Sequence, residues 1–286
     1  MELRLPLAAI TDEFTPDLEA AAEAMVGIGI AGAELRVLWG RNVVDLSDAD
    51  LDRARAILEV HGLKVVSLAS PLLKCVLPDS PPLDHRFEHD AFASAHTYED
   101  QPRLLRRSCE IARKLGAPII RVFSFWRTVD PAACFGRAAE ALRSLVLEAA
   151  EEGVILGLEN EHACNAGTGA EAAALWKAVD HPNLRVVWDP ANASVAGENP
   201  FPDGYRSLAA GSLVHVHAKD CRLEGGKPQW APLGTGALDW KGQLAALVAD
   251  GYRGYVSLET HWPGPGGDKF QASVICGWNL RGLLTW

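Results

Sequence analysis

Eight short runs rich in apolar and β-branched residues alternate along the chain with longer Ala- and Leu-rich stretches of helical period. The runs are LPLAAITDE from Leu5, AGAELRVL from Ala31, LKVVSLAS from Leu63 and PIIRVFSFW from Pro118, then VILGLENE from Val154, LRVVWDPAN from Leu184, LVHVHAKD from Leu213 and YVSLETHW from Tyr255. Between them PDLEAAAEAMVGIG, DADLDRARAILEVHG, PRLLRRSCEIARKLG, RAAEALRSLVLEAAEEG, GAEAAALWKAVD and DWKGQLAALVADG read as amphipathic helices, several ending in glycine as helices commonly do. A last helix is predicted through FQASVICGWNLRGLL. The strand runs are almost continuously apolar, as parallel strands covered on both faces must be. Eight strand-then-helix units in 286 residues, with no linker between them, predict an α/β fold: one TIM (β/α)8 barrel domain over residues 1–286. A doubly wound open sheet is the alternative, but it usually has fewer strands and often a glycine-rich first turn, and ITDEFTPD carries no such fingerprint.

Polar residues interrupt the apolar pattern at the strand ends. Strand alternation sends His215, His217 and Lys219 of LVHVHAKD to one face and Val214, Val216 and Ala218 to the other. In a barrel the strand ends meet at one mouth, and the long segments 71–100, 190–207 and 220–238 all follow strands, so they rise from that same C-terminal face. Glu159, Asp189, His217 and Glu259 end four successive strands. Singly, each reads as a rim carboxylate or a hydrogen-bonded core histidine. As a set they do not, because carboxylates forced together repel unless a cation neutralises them, and three carboxylates with one imidazole suit Mn²⁺, Mg²⁺, Co²⁺ or Zn²⁺.

Composition narrows the partners. The formal charge of −10 opposes a phosphate-backbone partner, so no nucleic acid is expected. No apolar run reaches membrane-spanning length and the N-terminus has no secretory pattern, which points to a cytoplasmic protein without a membrane partner. The six cysteines contain no C-x-x-C pair and read as reduced thiols. The clusters GTG at 234–236 and GPGPGG from Gly264 are unlike a P-loop, and no nucleotide cofactor is expected. The tryptophan-rich C-terminus CGWNLRGLLTW fits either a homo-oligomer interface or helix-to-barrel packing.

The series LGLENEH, VVWDPAN, VHVHAKD, PLGTGALDW and DGYRGYVSLETH, with ITDEF, GAELRVLWGRNV and SLASPLLK earlier, resembles the xylose isomerase-like TIM-barrel superfamily of sugar phosphate isomerases and epimerases. The resemblance implies that Glu159, Asp189, His217 and Glu259 bind the metal and that Glu159 and Glu259 are also the acid/base pair, while His215 supports rather than ligates. It implies a metal-dependent isomerase or epimerase acting on a small sugar, polyol or keto acid through an enediolate. The chemistry is coherent on its own terms, since proton removal beside a carbonyl needs a base and nearby positive charge. A lyase on the same scaffold, dehydrating an inosose-like ketone or eliminating from a keto-glycoside, is the alternative and needs a further acid such as His162, His261 or Lys219. An endonuclease is disfavoured, because that branch implies a histidine-rich multi-zinc site and strands three and four end in SLAS and RVFSFW. The sequence also departs from the ketose epimerases, which typically carry a substrate-binding histidine where Asn192 stands. Substrate-binding candidates are Glu34, Arg121, His162, Asn192, Lys219 and His261. For Arg121 the alternative is a bridge between Glu34 and Glu159, and for Lys219 a pair with Asp220.

Overall fold

The computed structural model describes residues 4–89, 94–208 and 211–285. Eight parallel strands close into a barrel. They are β1 (Leu7–Ile10), β2 (Gly32–Leu35), β3 (Lys64–Leu72), β4 (Ile119–Val122), β5 (Ile155–Glu159), β6 (Leu184–Trp188), β7 (Leu213–Ala218) and β8 (Val256–Leu258). Each pairs with its sequence neighbours, and β8 closes the ring against β1 through Leu7↔Val256 to Ala9↔Leu258. The single-barrel reading of the apolar pattern therefore holds.

Around the barrel lie α1 (Leu18–Ile28), α2 (Asp48–Val60), α3 (Gln101–Leu115), α4 (Pro131–Glu151), α5 (Gly169–Val179), α6 (Pro190–Val195), α7 (Trp240–Ala249) and α8 (Lys269–Leu283). Capping fixes several starts: Ser47 with Asp50 and Thr168 with Glu171 form capping boxes on α2 and α5. Unit six departs from the regular repeat. Its crossover from β6 to β7 is the short α6 and a one-turn helix at Tyr205–Ser207 instead of one long outer helix. The sequence there is broken by Pro190, Pro200, Pro202 and Gly197, so no long helical period is available.

Two hairpins, Val37–Leu38 with Arg41–Asn42 and Asp220–Glu224 with Lys227–Ala231, sit in the segments after β2 and β7. In β5, Gly157 is required by crowding: a Cβ there would lie 2.7 Å from Val187 Cγ2. The described cysteines are all free and buried. Among the described residues no helix is long and apolar enough to cross a membrane.

Candidate functional site

His215 and His217 point into the barrel from β7, one layer apart, and both are fully buried. Glu34, from the end of β2, lies against both. Its Oε2 accepts from His215 Nε2 at 2.9 Å, His217 Nε2 at 3.1 Å and Ser257 Oγ at 2.8 Å. Ser257 is the register partner of His217 across β7 and β8, which is why its short side chain reaches the same oxygen. The two imidazoles hold the Glu34 carboxyl well below its usual range although burial alone would raise it.

The other edge of the His217 ring faces the strand ends. His217 Nδ1 lies 3.0 Å from Glu159 Oε1, 3.5 Å from Glu259 Oε2 and 4.0 Å from Asp189 Oδ2. One ligand-type atom from each of Glu159, Asp189, His217 and Glu259 falls within 4.8 Å of the others, and all four residues are buried. Lys219, also buried, places Nζ 2.7 Å from Glu259 Oε2 and 2.9 Å from Asp189 Oδ2.

These charges set one another. Burial, reinforced by Glu259 and Glu159, pushes the Asp189 carboxyl up to about 7 against the pull of Lys219 and His217. Burial would also raise Glu259, yet Lys219 first, then His261 and His217, hold it well below the ordinary range. The His217 imidazole is raised well above its usual value because Glu159 and Glu34 outweigh burial. Asp189 divides its two oxygens: Oδ1 caps α6 by accepting from Asn192 N at 2.8 Å, and Oδ2 turns to the cluster.

A family model for xylose isomerase-like TIM barrels matches residues 20–276. The chain belongs to that family. Solved structures of similar fold include the IOLI protein with a bound zinc atom, with a TM-score of 0.72 and 19% identity over 97% of this chain and 96% of that one. The 3-keto-D-glucoside 4-epimerase YcjR from E. coli gives 0.66 and 19% over 98% and 100%. The probable 3-DHS dehydratase AsbF from Bacillus anthracis gives 0.69 and 17% over 94% and 97%. No curated protein matches the sequence.

Within this xylose isomerase-like barrel the remaining candidates divide by depth. His162 and Asn192 meet at the mouth, His162 Nδ1 lying 2.9 Å from both Asn192 Oδ1 and Glu161 Oε1. Asn192 Nδ2 donates to Asn160 O at 3.0 Å and reaches Glu159 Oε1 at 3.4 Å, so it braces a cluster residue. His261 packs its ring at a tilt against Trp230, with centroids 4.6 Å apart, and lies 3.4 Å from Glu259 Oε1. Two candidates lie deeper than the strand ends alone imply. Glu34 is fully buried below the cluster, where its Oε2 accepts from three donors. Arg121 turns its fork into the barrel wall, donating to Ala69 O at 3.0 Å and reaching Ser70 O at 3.4 Å and Glu159 Oε2 at 3.2 Å. Of the expected bridge, the arm to Glu159 is present. Lys219 pairs with Asp189 and Glu259 and not with Asp220, whose carboxylate accepts from the backbone of Gly234, Gly236 and Leu238.

Two groups at the mouth carried no sequence signal specific enough to assign them. Arg36 joins Asp12 (2.8 Å) and Glu13 (2.6 Å) to Glu259 (3.4 Å). Lys74, over the Phe123 ring at 4.6 Å, pairs with Glu161 at 3.4 Å. The partners of Arg36 lie on the turn after β1 and just past the end of β8, far from it in sequence.

Proposed function

We propose that this barrel is a divalent-metal-dependent isomerase or epimerase of a small keto-sugar, polyol or keto acid. The observation that carries the reading is the convergence of Glu159, Asp189, His217 and Glu259 from β5 to β8. The donor set fits a hard or borderline divalent ion: three carboxylates and one imidazole nitrogen. Glu159 Oε2 and Asp189 Oδ2 are buried and met by ion pairs, with Arg121 at 3.2 Å and Lys219 at 2.9 Å, and not by hydrogen bonds of good geometry, so the clustered carboxylates keep acceptor capacity for a cation. Bound there, a divalent cation would supply positive charge to a substrate oxygen and fix the substrate through two oxygens.

Glu159 and Glu259 are the proton-transfer pair: one carboxylate takes the proton from a substrate carbon and the other returns a proton to it. Lys219, held against Glu259, keeps a donor beside the oxygens that gain charge as the proton leaves. Arg36 and Arg121 brace the two glutamates from opposite sides of the cluster and restrict their rotamers. The site lies beneath half-buried His162, His261 and Trp230, which excludes bulk water.

A specific observation favours a second reading. Glu161 raises the His162 imidazole above its ordinary value against the opposing pull of burial. An acid poised at the mouth suits a lyase that expels a hydroxyl or alkoxyl group β to the carbonyl. The test is deuterium exchange from solvent into a panel of keto-sugars and keto-glycosides with Mn²⁺- or Zn²⁺-loaded protein, read by mass spectrometry. Isomerisation shows one-deuteron incorporation in the isomer, and elimination shows an unsaturated product. Glu159→Gln and Glu259→Gln are expected to abolish exchange, and full exchange in either variant would reject the acid/base assignment.

A further inference from the structure

The ring of His217 is gripped on both edges by carboxylates at almost the same distance. Nδ1 lies 3.0 Å from Glu159 Oε1 and Nε2 lies 3.1 Å from Glu34 Oε2. A histidine can offer a lone pair to a cation at only one of these nitrogens, and the other must keep its proton. Which nitrogen opens is therefore a competition between Glu34 below and Glu159 above. If Glu159 kept the ring proton on Nδ1, the nitrogen facing the cluster would be closed.

We propose that Glu34 is the positioning residue that settles this competition, holding the proton on His217 Nε2 so that Nδ1 is left open toward Glu159, Asp189 and Glu259. The inference rests on the metal reading above for its purpose, but not for its geometry. Three features give Glu34 the stronger hold. It sits below the cluster, apart from the other carboxylates, whereas Glu159 shares its surroundings with Asp189 and Glu259. Its Oε2 is fixed from three sides, by His215 Nε2, His217 Nε2 and Ser257 Oγ, so it cannot swing away. Glu159, by contrast, divides its carboxylate between His217, Asn192 and Arg121.

His215 has a place in the same device. Its Nε2 donates to Glu34, while its Nδ1 is buried with no hydrogen-bond partner. His215 therefore engages Glu34 through Nε2, and its other edge meets no acceptor. The paired histidines of VHVHA are thus two donors to one anion, and only the upper one presents its far edge to the cluster. A carboxylate behind a ligating histidine typically governs metal affinity by about 10-fold to 100-fold.

The experiment compares wild type, Glu34→Gln and Glu34→Asp. Co²⁺ affinity and stoichiometry are measured by titration calorimetry and visible absorption, and the His217 ring nitrogens are assigned by ¹⁵N NMR in the ion-free proteins at a pH above the raised His217 value, where the ring holds a single proton. The expected result is one Co²⁺ per wild-type chain, binding weakened about 10-fold to 100-fold in Glu34→Gln, and partial recovery in the charge-retaining Glu34→Asp. In the spectra, Nε2 carries a proton in wild type, and in Glu34→Gln the ring proton sits on Nδ1 against Glu159. A purely structural role would change the melting temperature without moving that proton. Unchanged Co²⁺ affinity in a folded Glu34→Gln, or Nε2 equally protonated in both proteins, overturns the proposal. So does a second Co²⁺ in wild type lost on Glu34 substitution, because Glu34 would then be a ligand. If wild type takes up no cation, the metal reading falls separately and the ¹⁵N assignment alone decides the role of Glu34. Should Glu34→Gln fail to fold, Glu34→Asp carries the comparison: its shorter side chain must still weaken binding and loosen the Nε2 proton.

Discussion

The two ends of the barrel bury opposite things. At the N-terminal end a cavity of about 530 Å³ is lined by Leu58, Leu63, Val65, Ile119, Ile155 and Val214, with charged residues such as Arg55 and Arg253 also along its wall. At the C-terminal end the side chains themselves fill the space: Glu34, Asp189, His215, His217, Lys219 and Glu259 are each at most 4% exposed. The first end has room without convergent chemistry, and the second has chemistry packed almost shut. Burying so many ionisable groups is costly unless they are paired or serve a purpose. The difference teaches that room alone is a poor guide to a site.

The largest expected contrast is in turnover. On a substrate found by the exchange screen, Glu159→Gln and Glu259→Gln should lose about 10²-fold to 10⁴-fold in kcat, while Lys64→Ala and Arg253→Ala at the opposite end stay within about twofold. Equal losses at both ends would erase the distinction. Next is stability. Lys219→Met leaves Asp189 and Glu259 without their shared ammonium, and the ion-free protein should lose about 3–5 kcal/mol, seen as a lower melting temperature that added Mn²⁺ largely restores. Arg55→Ala, whose partners Asp52 and Glu59 are exposed, should cost less than about 1 kcal/mol by the same measurement.

A smaller effect is expected from the cation itself. Mn²⁺ at 100 times its dissociation constant should add about 2.7 kcal/mol to wild type, and nothing comparable to His217→Ala. Stabilisation of that variant by the same amount would move the cation away from His217. The smallest expected effect is in pH dependence. Asp189 is raised from 3.8 to about 7 in the folded protein, so its contribution is fully present below about pH 4 and is lost as the pH rises toward 7. The melting temperature of ion-free wild type, relative to Asp189→Asn, should fall across that window. A constant gap would show that Asp189 titrates normally.

The barrel and its cluster were legible for one reason: equivalent ends of successive strands meet in space however far apart they lie in sequence. Glu159, Asp189, His217 and Glu259 needed no further information to be grouped. Depth was not legible. Alternation gives the face to which Glu34 or Arg121 points, but Glu34 finds its partners on β7 and β8 and Arg121 on β3 and β5, so which layer each occupies depends on barrel closure. Lys219 shows the same limit, since its partners are 30 and 40 residues away while the adjacent Asp220 is engaged by a turn. No helix was legible in unit six, because its prolines interrupt helical period, yet DPAN forms the start of a short one.

Asp189 links that short helix to the cluster. One of its oxygens caps α6 and the other faces the cluster, so a single side chain answers to two constraints at once. Lengthening it to glutamate would withdraw the cap, and replacing it with histidine would leave the Asn192 amide without its carboxylate acceptor. In this chain a change at Glu259 alters the cluster without uncapping a helix, whereas any change at Asp189 alters the cluster and the start of α6 together.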